Sequence, residues 1–191
     1  MFDRKSTVVK NGLLNGLRPT KLGLTICALL VLVTAGGFGV LSAAPKRAGP
    51  ADIEKQKTAF GEVRSIALAI KAFRQDFGVY PDAGKKGEGE FTIVEMSSLQ
   101  GRTLNPKQKE PGLAPAYIPK LPVKDPWGHP YLYGVSADLT QFEIVCTGSD
   151  GVLKTASPPK EEVATTCLDD DIIFVGDKFV QYPKGVQYLC K

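Results

Sequence analysis

The spacing of apolar residues divides the chain into a charge-free N-terminal stretch and an amphipathic helix. Residues 22–45 contain no charged side chain and are long enough for a helix to cross roughly 30 Å of hydrocarbon. From residue 51 to about residue 77, apolar side chains recur at three- and four-residue steps, which predicts a helix that lies on a sheet. The apolar stripe consists of Phe60, Val63, Ala67, Ile70, Phe73 and Phe77. Gly78 and Pro81 predict the end of this helix.

Beyond the helix, short apolar runs alternate with turn signals. Residues 82–123 are rich in loop-forming residues, with a helical turn expected at 93–99. The predicted strands are 131–135, 141–146, 172–175 and 179–189, the last of them interrupted at Pro183. The first two are expected to form a hairpin, and residues 148–171 to be polar and irregular. One long helix followed by several strands predicts an α+β domain.

The distribution of charge indicates membrane topology. Residues 1–21 carry five basic side chains and one acidic side chain, which account for the whole formal net charge of +4. Such an excess places the N-terminus in the cytoplasm and the C-terminal part on the other side of the membrane. Residues 45–191 are neutral overall, so the basic balance does not predict a nucleic-acid partner.

The apolar stretch is interpreted as a membrane helix rather than a cleaved secretory signal. Ser42, Ala43 and Ala44 offer the small residues of a cleavage site, but Pro45 follows at once and opposes cleavage. The expected organisation is therefore a cytoplasmic basic leader (1–21), a transmembrane helix (22–44), a continuation of that helix outside the membrane (45–81), a variable loop region (82–123) and a C-terminal β-sheet region with an acidic loop (124–191).

The four cysteines divide by compartment. Cys27 falls within the predicted membrane helix and is interpreted as an apolar packing residue. Cys146, Cys167 and Cys190 would face an oxidising space, where disulfides form. An odd number leaves one cysteine over, and sequence does not fix the connectivity. We favour Cys146–Cys167, because that pair would close a polar loop containing prolines.

Two C-terminal segments carry recognisable motifs. Residues 124–133 read Lys-Asp-Pro-Trp-Gly-His-Pro-Tyr-Leu-Tyr. This segment resembles the Lys-Asp-Pro-Trp-Gly-x-Pro-Tyr-x-Tyr signature of the type II secretion major pseudopilins, a family of the type IV pilin superfamily. Residues 142–151 and 169–172 resemble its strand and the two ends of its acidic loop. We interpret the first motif as structural, since its prolines and glycine restrict a turn and its tryptophan buries a large surface. Its key residues are Asp125, Pro126, Trp127, Gly128, Pro130 and Tyr131.

The register of the N-terminal part agrees with the same resemblance. Gly23, Gly37, Pro45 and the pair Tyr80-Pro81 fall at the family's spacings without a gap. The resemblance implies a type IV pilin-like α+β fold, in which a long N-terminal helix, membrane-spanning in its first half, packs on a small antiparallel sheet. It also implies leader-peptidase cleavage between Gly23 and Leu24.

One residue departs from the family pattern. Ala28 stands where the family has a glutamate that meets the N-terminal amine of a neighbouring subunit. Two functions therefore stay open. The first is a structural subunit of a secretion pseudopilus that assembles through its N-terminal helix to drive protein export. The alternative is a pseudopilin-fold binding or assembly module that stays anchored in the membrane and does not polymerise.

The resemblance also implies partners, location and a metal. The partners are copies of the chain or other pseudopilins, the inner-membrane secretion platform and the lipid bilayer, with the C-terminal domain in the periplasm of a bacterium. Family members bind a structural calcium ion in the acidic loop, which here would be held by Ser149, Asp150, Asp169 and Asp171. The open alternative is a solvated acidic loop fastened by the disulfide instead.

Catalytic motifs are missing from the sequence. It contains no Gly-x-Ser-x-Gly elbow, no phosphate-binding loop and no His-Glu-x-x-His. His129 is the only histidine, so neither a histidine triad nor a multi-histidine zinc site is available. We therefore do not expect an enzyme.

Overall fold

A computed structural model describes residues 45–84, 90–109, 111–155 and 157–190. The chain divides into two compact units, residues 1–41 and 42–191, and every described residue belongs to the second. The predicted membrane helix, the leader and the cleavage site at Gly23 and Leu24 lie outside the described residues. No helix in the described part is long and apolar enough to span a membrane.

Helix α1 runs from Pro50 to Phe77, close to the predicted bounds. Proline is tolerated in the first helical turn because its missing N–H would have no partner there. Gly78 ends the helix in the left-handed conformation, with φ +76°, and its N–H donates to the carbonyl oxygen of Arg74 at 2.7 Å. The buried residues are Gln56, Ala59, Val63, Ile66, Ala67, Ala69, Ile70 and Phe73, so most of the predicted stripe faces the core.

A seven-stranded sheet contains all the strands of the described residues. Its strands are β1 (Lys46–Arg47), β2 (Thr92–Glu95), β3 (Leu132–Val135), β4 (Phe142–Cys146), β5 (Val163–Cys167), β6 (Ile172–Val175) and β7 (Lys178–Leu189). The order across the sheet is β1-β7-β6-β4-β3-β2, with antiparallel neighbours throughout, and β5 pairs in parallel with β7.

Successive side chains along each strand point to opposite faces of the sheet, and the two faces have different surroundings. Phe142, Ile144 and Cys146 of β4 lie in the main core with α1, whereas Val145 lies in a smaller apolar cluster with Ile173 of β6. This is the period of two expected of a strand. The helix therefore covers one face of the sheet, and Leu153 from the acidic loop packs on the other.

The N-terminal end of the domain differs from the prediction. Residues 45–81 were expected to be a helical continuation of the membrane segment, but Lys46 and Arg47 form a strand paired with Tyr188 and Leu189. This pairing joins residues from opposite ends of the domain, so the local sequence around Lys46 and Arg47 does not predict it. The helix begins only at Pro50.

The strands show three further differences. Residues 92–95 form β2, and the expected helical turn covers only Met96–Leu99, as a 3₁₀ helix. Residues 163–167 form β5 within a segment expected to be irregular. Strand β7 also passes through Pro183 without a break. The proline is tolerated there because β6 pairs only with Lys178–Gln181, so no antiparallel bond is lost at Pro183.

Candidate functional site

The Asp125–Tyr131 motif forms a tight turn organised by a buried carboxylate. Asp125 is 5% exposed, and one oxygen, Oδ1, accepts hydrogen bonds from the backbone N–H of Trp127 and of His129, both at 2.9 Å. The Gly128 N–H donates to the Asp125 carbonyl oxygen at 3.0 Å, and Gly128 has φ +101°, which a residue with a Cβ rarely adopts. The motif is therefore a structural turn, in agreement with its interpretation from sequence.

The turn places Tyr131 against helix α1. Tyr131 is fully buried, and its hydroxyl donates to Glu62 Oε2 at 2.6 Å. Burial and this hydrogen bond both raise the pKa of the tyrosine. Tyr133 makes a second link, from its hydroxyl to the Pro81 carbonyl oxygen at 2.8 Å. The motif thus connects the sheet to both the middle of α1 and the segment that follows it.

The acidic loop lies next to this turn. A Cβ on Gly151 would stand 2.6 Å from His129 Cδ2, so the imidazole lies directly against the loop backbone. On the other side, Gly148 has φ +66° and packs against the backbone of Leu168 and Asp169. A side chain at Gly148 would be strained and would collide with backbone, whereas at Gly151, with φ +71°, it would be strained and would displace the His129 ring.

The predicted metal ligands do not all meet at one point. Ser149 Oγ donates to Asp169 Oδ1, and Asp150 Oδ1 accepts from the Val152 N–H at 3.0 Å. Asp171, fully buried, accepts from the Lys154 N–H at 3.0 Å through Oδ2. Among the described residues, no group of three or more acidic, histidine or cysteine side chains is arranged to hold a metal ion.

A lysine that the sequence analysis did not single out lies among these carboxylates. Lys154 Nζ is 3.2 Å from Asp170 Oδ1 and 3.8 Å from Asp150 Oδ2. Burial raises the pKa of Asp171 to about 6, while the backbone N–H and the charge of Lys154 act in the opposite direction. In the sequence, the one feature that could have indicated these ion pairs is the position of Lys154, four residues after Asp150. The arrangement therefore fits calcium poorly, and calcium binding stays a prediction from the sequence.

The cysteine prediction is wrong in this structure. Cys167 is bonded to Cys190, and the two Cα atoms are 5.7 Å apart. Cys146 is free and fully buried on the helix side of β4, with its Sγ 3.5 Å from Asp125 Oδ2. Burial raises the pKa of the Cys146 thiol, and the neighbouring Asp125 charge raises it further. The register of β5 on β7 explains the actual pairing, because it places Cys167 opposite Tyr188.

An apolar groove lies between α1 and β7. It measures about 480 Å³ and its walls include Phe60 and Leu68 of the helix and Phe179 and Tyr182 of β7. Phe60 and Phe179 stack with ring centroids 3.9 Å apart. Leu68 is 63% exposed, the highest exposure of the large apolar residues in the described part. The helix thus buries one face on the sheet and presents a partly apolar face outward.

These features define a class of protein. An amphipathic helix lies on a largely antiparallel sheet, and a disulfide joins the end of β5 to the residue after β7, in a pilin-like α+β arrangement. The family described as "Type II secretion system (T2SS), protein G" matches residues 47–161, more than half of the sequence. The chain belongs to that family.

Two curated relatives agree with the family match. The chain is 29% identical to the type II secretion system core protein G of Pseudomonas aeruginosa over 134 residues, which is 70% of this chain and 87% of the relative. It is 26% identical to the protein of the same name from Vibrio cholerae over 132 residues, 68% of this chain and 81% of the relative. The resemblance drawn from the sequence motifs is therefore confirmed, as is the expectation of a structural subunit rather than an enzyme.

Proposed function

We propose that this chain is a pilin-like structural subunit of a type II secretion pseudopilus, anchored in the bacterial inner membrane and assembling through its N-terminal helix to drive protein export. The observation that carries the proposal is the match of residues 47–161 to the protein G family, on a chain whose helix α1 leaves one face unpacked. Its partners are copies of itself or other pseudopilins, and its domain lies in the periplasm.

The surface of α1 supports assembly by way of the helix. Its inward residues, such as Val63, Ile66 and Ile70, are 0% exposed, so packing on the sheet is complete on that side. Leu68 points outward into the groove instead, beside Arg64 and Lys71. Leu68 adjoins Phe60 and Phe179 in this groove, and a contiguous apolar patch rimmed by charged side chains is typical of a surface that a partner covers.

The chain before α1 supports membrane anchoring. The charge-free residues 22–45 end five positions before Pro50, and the basic residues of the leader precede them. The order is basic leader, apolar segment and then folded domain, which suits a single-pass protein with a cytoplasmic N-terminus. The inner-membrane secretion platform would then meet the leader side of the chain.

The alternative is a membrane-anchored module that does not polymerise, and the mature N-terminus distinguishes the two. Family membership does not favour the alternative, although Ala28 would remove a subunit contact. N-terminal sequencing and intact-mass measurement of the chain from native membranes are the test. A mature chain that begins at Leu24 supports the pseudopilus subunit, and a chain that retains Met1 supports the permanent anchor.

A second experiment addresses the helix directly. Leu68→Arg should reduce cross-linked multimers in membranes and export of a type II substrate, while the level and fold of the chain stay unchanged. The matched control is Val186→Arg, since Val186 is also an exposed apolar residue, at 42%, but lies on β7 outside the groove. Normal multimers and export with Leu68→Arg, or equal losses with both variants, would contradict assembly through this face.

A further inference from the structure

Lys154 contacts carboxylates from both ends of the acidic loop. Its ammonium nitrogen is 3.2 Å from Asp170 Oδ1 and 3.8 Å from Asp150 Oδ2. Its backbone N–H donates to Asp171 Oδ2 at 3.0 Å. Asp150 precedes the long connection to β5, whereas Asp170 and Asp171 follow that strand. One residue therefore joins the beginning of the loop to its end.

We propose that the ammonium group of Lys154 closes this loop in the place where the family resemblance predicts calcium. A lysine has three N–H donors around a compact charge, which suits several separate carboxylate oxygens better than one bidentate partner. The side chain of Lys154 is 39% exposed, and those of Asp150 and Asp170 are 34% and 30% exposed. These groups are only partly desolvated, so the ions can pair without the large penalty of full burial.

The contacts already made by the carboxylate oxygens of the loop disfavour calcium binding at this position. Calcium takes about six to eight oxygen ligands. Asp169 Oδ1 is occupied by the Ser149 hydroxyl, and Asp150 Oδ1 by the Val152 N–H. One oxygen, Asp171 Oδ1, is buried and has no hydrogen-bond partner. Hydrogen-bond donors thus compete with a cation for two of these carboxylates, and the ammonium beside Asp150 and Asp170 repels a divalent cation.

Other contacts fix the loop to the sheet without an ion. The Ser149 N–H donates to the Leu168 carbonyl oxygen at 2.9 Å, and Gln181 Nε2 donates to the Asp171 carbonyl oxygen at 2.9 Å. The disulfide between Cys167 and Cys190 attaches the end of β5 to the end of the chain. The lysine thus has to supply charge compensation alone, because hydrogen bonds and a covalent bond already set the path of the backbone.

The test is thermal unfolding of the full-length, oxidised chain in detergent micelles, with millimolar calcium chloride or with excess EDTA. The variants are Lys154→Gln, Lys154→Arg and Lys160→Gln. Lys160 is the matched control, since it lies in the same connection, is exposed and makes no ion pair with a described residue. Lys154→Arg keeps the positive charge and shows whether charge rather than side-chain identity matters.

The wild-type chain, Lys154→Arg and Lys160→Gln should each unfold at the same temperature in calcium and in EDTA. Lys154→Gln should unfold about 2–5 °C lower in EDTA, because Asp150 and Asp170 lose the ammonium that pairs with both, and calcium should restore part of that loss. Two results would overturn the proposal. One is a wild-type chain that calcium stabilises as much as it stabilises Lys154→Gln. The other is a Lys154→Gln chain that unfolds at the wild-type temperature in EDTA.

Discussion

The hydrogen bond from Tyr131 to Glu62 is the link between the turn motif and helix α1, and Tyr131→Phe removes it with little change in shape. The tyrosine is 0% exposed and its hydroxyl lies 2.6 Å from Glu62 Oε2. A hydrogen bond to a charged group contributes about 1.5–3 kcal/mol. Glu62 is only partly buried, so water replaces some of the lost bond, and we expect a loss of about 1–2 kcal/mol in the free energy of unfolding.

Urea denaturation at neutral pH measures this loss, and a double-mutant cycle with Glu62→Ala assigns it to the pair. The two single losses should exceed the loss of the double variant by about 1 kcal/mol, since either substitution already breaks the bond. Tyr182→Phe is the matched control, because its hydroxyl makes no hydrogen bond to a described residue and its ring lines the outer groove. A Tyr131→Phe variant as stable as the control, or strictly additive losses in the cycle, would refute the reasoning.

Three further predictions concern other parts of the domain. Burial, and then the nearby Glu90 charge, raise the pKa of Glu143 from an ordinary 4.5 to about 7, so the folded state holds this proton more tightly than the unfolded chain and stability falls as pH rises through that interval. Glu143→Gln should therefore raise the free energy of unfolding by about 2–3 kcal/mol at pH 8 and leave it unchanged near pH 4, and a difference independent of pH would contradict this. Cys190→Ser opens a disulfide between residues 23 positions apart and should lower stability by about 3 kcal/mol in denaturant titrations, an effect that a reductant should reproduce in the wild type and not in the variant. Gly148→Ala adds a Cβ that would stand 2.6 Å from the Asp169 backbone at φ +66°, and should cost at least about 2 kcal/mol, whereas Gly61→Ala on exposed α1 surface should be neutral or stabilising in the same titrations.

The sequence predicted those elements whose conformation is determined by their own residues. The end of α1 was predictable because Gly78 supplies the left-handed cap that terminates the helix. Strand β6 coincides with the predicted residues 172–175, a short apolar run that both the core and the second cluster bury. The turn at Asp125 was predictable as a structural feature for the same reason, since its proline and glycine residues restrict the backbone directly.

Pairings between distant parts of the chain were not predictable in this way. Strand β1 has only two residues, both exposed, and exists because Tyr188 and Leu189 pair with it. Three of the five residues of β5 are exposed, and its sequence, Val-Ala-Thr-Thr-Cys, lacks the alternation of apolar and polar residues that marks a half-buried strand. The disulfide depends on the register of β5 against β7, which no spacing of cysteines reveals. The role of Lys154 depends on the fold in the same way, because the fold brings Asp150 and Asp170, at the two ends of the loop, to the same ammonium group.

The unpredicted strands β1 and β5 both pair with strand β7, so this last strand connects more of the domain than its sequence indicates. It pairs with β1 at one end, with β5 in the middle and with β6 at the other end. It also supplies Phe179 to the groove between α1 and β7. Because β1 is the first strand of the described domain and β5 carries the end of the acidic loop, β7 connects the N-terminal edge of the sheet to the loop that Lys154 closes. Loss of the C-terminal strand should therefore disturb the outer face of the helix and the loop together, rather than either one alone.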